Sequence, residues 1–373
     1  MGAEGELPQR QVFDNGFEGM VATTEEFTRE SILLYKNEND LGQATKLSDF
    51  KIIALVGKGT FGKVYLAKLE SHDKLYAVKS MRKDLLIDTK QIEGTKLEKE
   101  ILLNCNHPFL SGMDYMFQTE ERLYFVMEFI RGGEVYKHFM DQKRFPEAQV
   151  KFYAAQIALG IGYLHEKNIV HRDLKLENIM IDETGYLKLI DFGLAKIIDG
   201  SGVAMSFCGT PEYLAPEMIT QKGHDKNIDW WGLGILIYEM LIGVTPFFSR
   251  SRNNLLRNIK SAKVIFPDRK KYKIQYSDEF MDIVMKLLAK DKTERLGFGG
   301  GAEEVLDHPW FKDIEMKLLF EKKLKPPFKP KIADNEVLNN FKPRGKKDEI
   351  KESMIPQNKL SKIKNYEKEF SGF

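Results

Sequence analysis

A short polar segment between two apolar stretches carries a carboxylate, an ammonium group and an amide. In residues 171–178 these groups belong to Asp173, Lys175 and Asn178. Polar groups gathered in this way are costly unless a ligand satisfies them. Asp173 is suited to accept or orient the proton of an attacking hydroxyl, Lys175 to neutralise a transferred phosphoryl group, and Asn178 to bind a metal ion. The segment therefore predicts phosphoryl transfer to an alcohol.

A second acidic motif follows further along the chain. Asp191, Phe192 and Gly193 come directly after residues 186–190, an apolar run that predicts a strand. Magnesium prefers hard oxygen ligands and keeps waters and phosphate oxygens around it, so one carboxylate and one amide suffice to hold it. Asn178 and Asp191 are therefore the predicted metal ligands.

Three spaced glycines in residues 57–64 form the pattern G-x-G-x-x-G-x-V. Glycine lets the backbone bend and approach phosphate oxygens without a side chain in the way. Dinucleotide-binding folds use the same glycines, but there the loop opens a helix, whereas here β-rich runs lie on both sides. The loop is predicted to contact the phosphates of a nucleotide through Gly57, Lys58, Gly59, Thr60, Phe61, Gly62 and Val64.

The strand after that loop carries a lysine among apolar residues. Lys79 ends residues 75–79, and Glu98 lies in the helical pattern that follows. In an ion pair, Glu98 would orient the ammonium group of Lys79, and this cation would bind phosphate. Each residue also has a simpler interpretation, because Lys79 could point into solvent and Glu98 could belong to a solvated helix face.

The elements that must position these residues fall into two halves. The first half contains short β-rich runs separated by turns, which predict an antiparallel meander, and a helical pattern at residues 91–103. Helical patterns dominate the second half, among them residues 148–165, 228–242 and 278–288. This order indicates an α+β fold in two lobes, with a hinge near residues 128–133 and a ligand cleft between the lobes.

Composition divides the chain into three parts. Residues 1–46 are predicted to be an N-terminal extension, with a short amphipathic helix at residues 25–35. Residues 50–311 form the main domain, with lobes at about 50–130 and 131–311. Residues 312–373 form a charged tail whose basic, proline-rich start favours an extended chain.

Charge and cysteine content indicate which partners and which cellular compartment to expect. There are 57 Lys and Arg residues against 55 Asp and Glu residues, and this balance gives no overall attraction to nucleic acid or membrane. Two cysteines, Cys105 and Cys208, cannot build a disulfide framework, which indicates a reducing compartment. The most apolar run, residues 228–244, contains two acidic residues and is short for a bilayer. We expect a cytoplasmic protein, with the nucleus as the alternative location, no nucleic-acid partner and no stable membrane insertion.

Eukaryotic protein kinases contain a set of short motifs in a fixed order. This chain resembles that set, in the same order, at residues 57–64, 77–79, 171–178, 191–193 and 215–217. Residues 206–217 and the tail resemble the AGC group of serine/threonine kinases. Some features are similar to the Akt/SGK kinases and others to the cyclic-AMP-dependent kinase, so the subfamily stays open. The resemblance implies the bilobal protein kinase fold, with a small antiparallel β-rich N-lobe, a larger helical C-lobe and an AGC-type C-terminal tail. It also implies transfer of phosphate from ATP, with Mg²⁺, to Ser and Thr hydroxyls of proteins.

The resemblance gives roles to further residues around the nucleotide. Met127 would be the gatekeeper of the pocket, and Glu128 and Ile130 would form the hinge backbone beside adenine. Ala77 and Glu134 complete the expected nucleotide contacts. In the tail, Phe341 is expected to reach adenine, which places tail residues at the same cleft.

Other implied roles concern regulation and support. Ser206 matches an activation-loop site for an upstream kinase, and its phosphate would pair with Arg172. Glu217 and Arg295 match a buried structural ion pair, and Asp229 matches the residue that braces the catalytic loop.

Charge also predicts the substrate. Glu134, Glu177 and Glu239 match acidic positions that receive arginines, and carboxylates in a partly dry cleft select guanidinium groups. The expected substrates are protein sites with Arg at the third position before the Ser or Thr. In the tail, Phe370 and Phe373 are expected to insert into an apolar pocket on the N-lobe.

Two other classes of protein are the alternatives. A nucleotide-binding pseudokinase or scaffold would share the lobes and act through interactions alone. Such proteins usually have a replaced catalytic residue, whereas Lys79, Glu98, Asp173, Asn178 and Asp191 are all present here. A small-molecule kinase would share the chemistry, but residues 209–217 and the acidic positions favour a protein substrate.

Overall fold

The computed structural model describes residues 30–33, 46–71, 74–198, 202–204, 208–220, 223–332 and 352–373. In this part of the chain a strand-rich lobe precedes a helix-rich lobe, which confirms the predicted α+β, two-lobed fold. None of the helices described there is long and apolar enough to cross a membrane.

The N-lobe is built on a six-stranded antiparallel sheet with the order β1-β5-β6-β4-β3-β2. Alternation along β4 buries Tyr76 and Val78 on one face, so Ala77 and Lys79 lie on the other. The buried face packs Tyr76 edge-on against Phe50, with the ring centroids 5.5 Å apart. The strands are Glu30–Leu33 (β1), Phe50–Lys58 (β2), Gly62–Leu69 (β3), Lys74–Arg82 (β4), Met113–Thr119 (β5) and Arg122–Glu128 (β6). Two helices accompany them, Lys83–Asp88 (α1) and Ile92–Asn104 (α2).

The helix expected at residues 25–35 is wrong where the structure describes that segment. Residues Glu30–Leu33 form the edge strand β1, which pairs antiparallel with residues 116–119 of β5. The edge of β5 offers unpaired backbone N–H and C=O groups, and pairing with them outweighs a weak local helical pattern. The other residues of the predicted helix lie outside the described part of the chain.

The C-lobe is helical and is organised around one buried helix, α6. Its residues Trp230 and Trp231 are fully buried, and α4 and α9 pack against it. The most apolar run in the sequence thus forms a core helix, as predicted. The helices are Val135–Gln142 (α3), Glu147–Glu166 (α4), Pro216–Ile219 (α5), Asn227–Ile242 (α6), Arg252–Ser261 (α7), Arg269–Tyr272 (α8), Asp278–Leu287 (α9), Gly301–Leu306 (α10) and Met316–Phe320 (α11).

A short connection joins the two lobes, and the C-lobe also contains short paired strands. The chain leaves β6 at Glu128 and enters α3 at Val135, close to the predicted hinge. Gly132 packs so tightly there that a Cβ atom would lie 2.2 Å from the Ile181 carbonyl oxygen. The strands are Ile169–Val170 (β7), Ile179–Ile181 (β8), Leu187–Leu189 (β9) and Lys196–Ile197 (β10), and the tail adds helices Gln357–Asn365 (α12) and Glu367–Phe370 (α13).

Candidate active site

A lysine on β4 and a glutamate on α2 form a buried ion pair. Lys79 Nζ lies 2.5 Å from Glu98 Oε1 and 3.7 Å from Asp191 Oδ1. Glu98 is only 3% exposed, so it does not belong to a solvated helix face. Burial lowers the pKa of the Lys79 ammonium, but the two carboxylates outweigh this effect and raise the pKa above its ordinary value. A fixed positive charge therefore faces the cleft.

The polar segment of residues 171–178 folds into a loop around one carboxylate, that of Asp173. Lys175 Nζ lies 2.5 Å from Asp173 Oδ2, and Asn178 Nδ2 donates to the same oxygen at 3.0 Å. Thr210 Oγ1 donates to Asp173 Oδ1 at 3.1 Å. Asp173 is 8% exposed, so these donors hold its carboxylate in one orientation.

A buried aspartate from α6 holds this loop in its conformation. Asp229 accepts hydrogen bonds from the backbone N–H of His171 at 2.8 Å and of Arg172 at 2.9 Å. Arg172 has a φ of +68°, a left-handed conformation that costs energy for a residue with a side chain. His165 Nε2 lies 2.8 Å from Asp229 as well. The two backbone hydrogen bonds offset the strain at Arg172 and aim the loop at the cleft.

Asn178 and Asp191 lie on neighbouring backbone segments. The N–H of Ile190 donates to the carbonyl oxygen of Asn178 at 3.1 Å, which places Asp191 next to the loop. The Asn178 amide nitrogen donates to Asp173, so its amide oxygen is the atom left to act as a metal ligand. The Lys79 ammonium lowers the pKa of Asp191, and this carboxylate is therefore ionised. Together they supply the hard oxygen ligands that magnesium prefers.

The glycine pattern forms the turn of a hairpin between β2 and β3. The N–H of Gly59 donates to the carbonyl oxygen of Gly62 at 2.9 Å. A Cβ atom on Gly62 would lie 1.8 Å from the carbonyl oxygen of Ser80, so only glycine fits there. A Cβ atom on Gly59 would meet no atom within 4 Å, because the turn faces open space. The described packing requires Gly62, whereas the open side of the turn leaves room for a ligand.

The residues expected beside adenine line the base of the N-lobe sheet. Met127 pairs with Ala77 across β6 and β4, and Val64 and Ala77 pack against an apolar cluster that contains Phe129 of the hinge. Met127 is buried, as is Ile130. These apolar side chains could enclose the flat face of a base.

The three acidic positions differ in environment. Glu177 is exposed, and Glu134 bridges to Met180 through the backbone at the start of α3. Glu239 is half-buried on α6 and accepts a hydrogen bond from the hydroxyl of Tyr213. Burial and the neighbouring carboxylate of Glu177 raise the pKa of Glu239 to about 7. This carboxylate would be stabilised by an incoming guanidinium group.

The comparison with protein families fits this geometry. The family model for the protein kinase domain matches residues 50–311. The chain belongs to the protein kinase family. The resemblance drawn from the glycine loop and from residues 171–178 and 191–193 is thereby confirmed.

Individual relatives place this kinase among the AGC group. It is 42% identical over 303 residues to "Protein kinase 2" of Dictyostelium discoideum, which covers 81% of the chain and 61% of the relative. It is 43% identical over 298 residues to "Serine/threonine-protein kinase Sgk1" of Danio rerio, which covers 79% of the chain and 67% of the relative. With "Protein kinase C eta type" of Mus musculus it shares 41% identity over 299 residues, 79% of the chain and 43% of the relative. The chain thus spans about two fifths to two thirds of the length of these relatives.

Sequence reasoning missed one residue, Thr210, that contacts the loop of residues 171–178. Thr210 contacts both Asp173 and Lys175, with its Oγ1 3.3 Å from Lys175 Nζ. The signal in the sequence was the preceding glycine. Gly209 has a φ of +102°, and a Cβ atom there would lie 3.0 Å from the carbonyl oxygen of Arg172. That close approach brings the Thr210 hydroxyl to the loop.

An ion pair supports the C-lobe of the kinase behind the catalytic loop. Arg295 is fully buried and binds Glu217 through two parallel hydrogen bonds, Nη1 to Oε1 at 2.6 Å and Nη2 to Oε2 at 3.0 Å. Arg295 Nη1 also donates to the carbonyl oxygen of Asn227 at 2.9 Å. The pair therefore ties α5 to the start of α6.

The tail returns to the N-lobe and covers α2. Phe370 and Phe373 are buried, with the Lys83 ammonium 5.0 Å from the Phe370 ring centroid and the Lys99 ammonium 5.5 Å from the Phe373 ring centroid. Gln118 Nε2 donates to the carbonyl oxygen of Phe373 at 2.8 Å. The rings thus lie beside the helix that carries Glu98.

Two expected positions, Ser206 and Phe341, lie outside the described residues. Arg172, the expected partner of a phosphate on Ser206, donates from Nε to the carbonyl oxygen of Leu194 at 2.6 Å. This bond already connects the catalytic loop to the segment after Asp191.

Proposed function

We propose that this chain is a protein serine/threonine kinase that transfers phosphate from ATP, with Mg²⁺, to proteins in intracellular signalling. One observation carries the proposal, namely the convergence of Lys79, Glu98, Asp191 and the Asp173 loop on one cleft. The catalytic domain would comprise residues 50–311, preceded by the extension of residues 1–46 and followed by the tail. We place the protein in the cytoplasm, with the nucleus as the alternative.

Each residue of the cleft has a role in this reaction. Lys79, oriented by Glu98, would bind the phosphates of ATP, and the glycine turn would cover them. Asn178 and Asp191 would hold Mg²⁺, which would neutralise the negative charge on the phosphate groups during transfer. Asp173 would orient the hydroxyl of the substrate and take its proton, while Lys175 would stabilise the charge on the transferred group.

The acidic positions support a basic substrate. Glu134, Glu177 and Glu239 would receive arginines that precede the Ser or Thr, with Arg at the third position before it as the main determinant. An upstream kinase acting on Ser206 would be a further partner.

The direct test is transfer of labelled phosphate to an arginine-containing serine peptide. The experiment compares ATP with Mg²⁺, ATP with a chelator, and the same peptide with each arginine replaced in turn. We expect labelled phosphoserine only with Mg²⁺, and the largest loss when the arginine at the third position before the serine is replaced. Nucleotide binding without transfer would instead identify a pseudokinase, and transfer to small alcohols but not to the peptide would identify a small-molecule kinase.

The preference for arginine should depend on pH. The pKa of Glu239 is raised to about 7, so its carboxyl group is mostly neutral below that pH and becomes charged above it. The ionised fraction rises from about a tenth at pH 6 to about nine tenths at pH 8, so the preference should rise roughly fivefold to tenfold. The measurement is the ratio of kcat/KM for peptides with and without the arginine that Glu239 receives. Because the ratio cancels the pH dependence of the chemistry itself, Glu239→Gln should make it flat, and a slope that survives this substitution would contradict the assignment.

The buried rings of the tail should support activity. Replacing Phe370 and Phe373 together with Ala removes the groups that pack beside α2, so Glu98 loses part of its support. We expect kcat/KM for the peptide to fall about 5- to 150-fold, the usual range for coupling between two sites. The matched control is Lys368→Ala, an exposed residue of the same segment. Equal activities of the two variants would show that the tail does not act on α2.

A further inference from the structure

A strongly basic surface segment of the C-lobe is not used by the proposed reaction. Residues 250–273 contain nine Lys and Arg residues and a single acidic residue, Asp268, although the whole chain is nearly neutral with a net charge of +2. All nine basic residues are exposed. We call them the basic face: Arg250, Arg252, Arg257, Lys260, Lys263, Arg269, Lys270, Lys271 and Lys273.

The fold turns the basic side chains of this segment outward. Leu255 and Ile259 of α7 are buried against the core, so Arg257 and Lys260 lie on the opposite side of that helix. The extended chain after α7 is fixed by a hydrogen bond from the Tyr238 hydroxyl to the carbonyl oxygen of Ile265 at 2.6 Å.

Nearby acidic residues neutralise only a small part of this charge. Asp278, at the start of α9, forms an ion pair with Arg269. Asp268 caps α8 by accepting a hydrogen bond from the backbone N–H of Lys271 at 2.7 Å. Lys270 and Lys271 are exposed at this helix, next to Lys273. The face therefore keeps a large positive charge on a protein that has almost none overall.

Two large apolar side chains are exposed within the same segment. Ile265 is 76% exposed and Tyr272 is 52% exposed. Tyr272 lies between Lys271 and Lys273 in the chain, and Ile265 follows Lys263 by two residues. Exposed apolar groups among lysines and arginines are typical of surfaces that lie at the boundary between water and lipid. There the apolar groups enter the headgroup region while the cations attract anionic lipids.

We propose that the basic face binds the surface of an anionic lipid membrane. Its charges are spread along residues 250–273 instead of gathering on one point, which suits a diffuse negative surface better than a single carboxylate or phosphate. Ile265 and Tyr272 favour lipid over nucleic acid, because a phosphodiester backbone offers no apolar layer for Ile265 to enter. Contact is peripheral, in keeping with a chain whose described helices do not span a bilayer.

This contact would bring the cleft close to membrane-bound substrates. Helix α7 packs against α5 and against the 3₁₀ turn Pro211–Tyr213, which follows Thr210 at the catalytic loop. A kinase bound through the basic face would therefore hold residues 209–217, the segment expected to face a protein substrate, near the lipid surface. Binding itself does not require catalysis, so it can be tested separately from the proposed reaction.

The test is co-sedimentation of the full chain with vesicles. Vesicles of phosphatidylcholine alone are compared with vesicles that also contain phosphatidylserine at about 30 mol%. We expect binding only to the second kind, and a steep loss of binding as salt is raised, because salt screens charges at the surface. Equal binding to both kinds of vesicle, or binding to neither, would overturn the proposal.

Matched variants locate the contact. Lys270→Glu with Lys271→Glu should weaken binding to the anionic vesicles at least about tenfold. Lys317→Glu with Lys325→Glu changes the net charge equally through exposed lysines outside the face, and should leave binding nearly unchanged. Ile265→Ser should weaken the binding that survives at high salt. Equal losses in the two lysine pairs would show general charge attraction and contradict a defined face.

Two further measurements complete the experiment. Duplex DNA is added as a competitor at the same salt, and tighter binding of the DNA than of the anionic vesicles would assign the face to nucleic acid and overturn the proposal. Activity towards a soluble peptide is measured for both lysine pairs, and should be unchanged. Peptide phosphorylation without vesicle binding would reject the membrane contact alone, whereas vesicle binding without phosphorylation would reject the proposed reaction alone.

Discussion

An Asp173→Asn variant should phosphorylate the serine peptide about 10²- to 10⁴-fold more slowly than the unmodified kinase, the usual contribution of a positioned general base. The substitution keeps the size of the side chain but removes the carboxylate that would receive the proton of the hydroxyl. An amide has only one acceptor oxygen, so its NH2 group would face either Thr210 or the pair of Lys175 and Asn178. The loss should appear in kcat, because the phosphate-binding pair of Lys79 and Glu98 is unchanged.

The matched control for this prediction is Asp291→Asn. Asp291 caps a 3₁₀ turn of the C-lobe, where it accepts a hydrogen bond from the N–H of Thr293 at 2.9 Å, away from the cleft. Single-turnover phosphorylation gives the rate of the chemical step, and ATP binding measured by titration shows whether the site is still formed. An Asp173→Asn enzyme that binds ATP normally and retains more than about a tenth of the rate would contradict the role of Asp173 as the base.

The two-lobed fold could be predicted from the sequence, and the residues proposed for the cleft were chosen from their types and spacing. Residues 75–79 are apolar almost throughout, so the run predicts a strand but not which of its sides faces the core. The structure buries Tyr76 and Val78 and leaves Ala77 and Lys79 on the cleft side. The partner of Lys79 was harder to identify from the residues alone, because Glu98 is surrounded by other charged residues along α2. Its choice depended on spacing, and the structure places the two side chains 2.5 Å apart.

Contacts between distant segments could not be predicted from local patterns. The N–H groups of His171 and Arg172 bind Asp229, which lies 58 and 57 positions further along the chain. A local pattern describes only neighbouring residues, so this role came solely from the family resemblance. The strand at Glu30–Leu33 was missed for the same reason, because it pairs with residues 116–119 of β5, which lie far along the chain.

The buried pair of Glu217 and Arg295 is expected to give the largest loss of stability. Arg295→Met replaces the guanidinium group with an apolar side chain of similar length, and it leaves the Glu217 carboxylate, 11% exposed, without its partner. The carbonyl oxygens of Asn227 and Ala289 lose hydrogen bonds at the same time. Breaking a buried ion pair from one side usually lowers the free energy of unfolding by about 3–5 kcal/mol.

The cause of that loss can be separated from a simple loss of packing. If the unpaired carboxylate causes it, then Glu217→Leu combined with Arg295→Met should recover a large part of the stability, because no charge is left buried. If the loss came only from the contact of the guanidinium group with Trp231, whose ring centroid lies 5.2 Å from the guanidinium carbon, then the double variant would be no more stable than Arg295→Met. Urea unfolding followed by tryptophan fluorescence distinguishes the two outcomes. Arg257→Met, on the exposed side of α7, is the control and should change stability by less than about 0.5 kcal/mol.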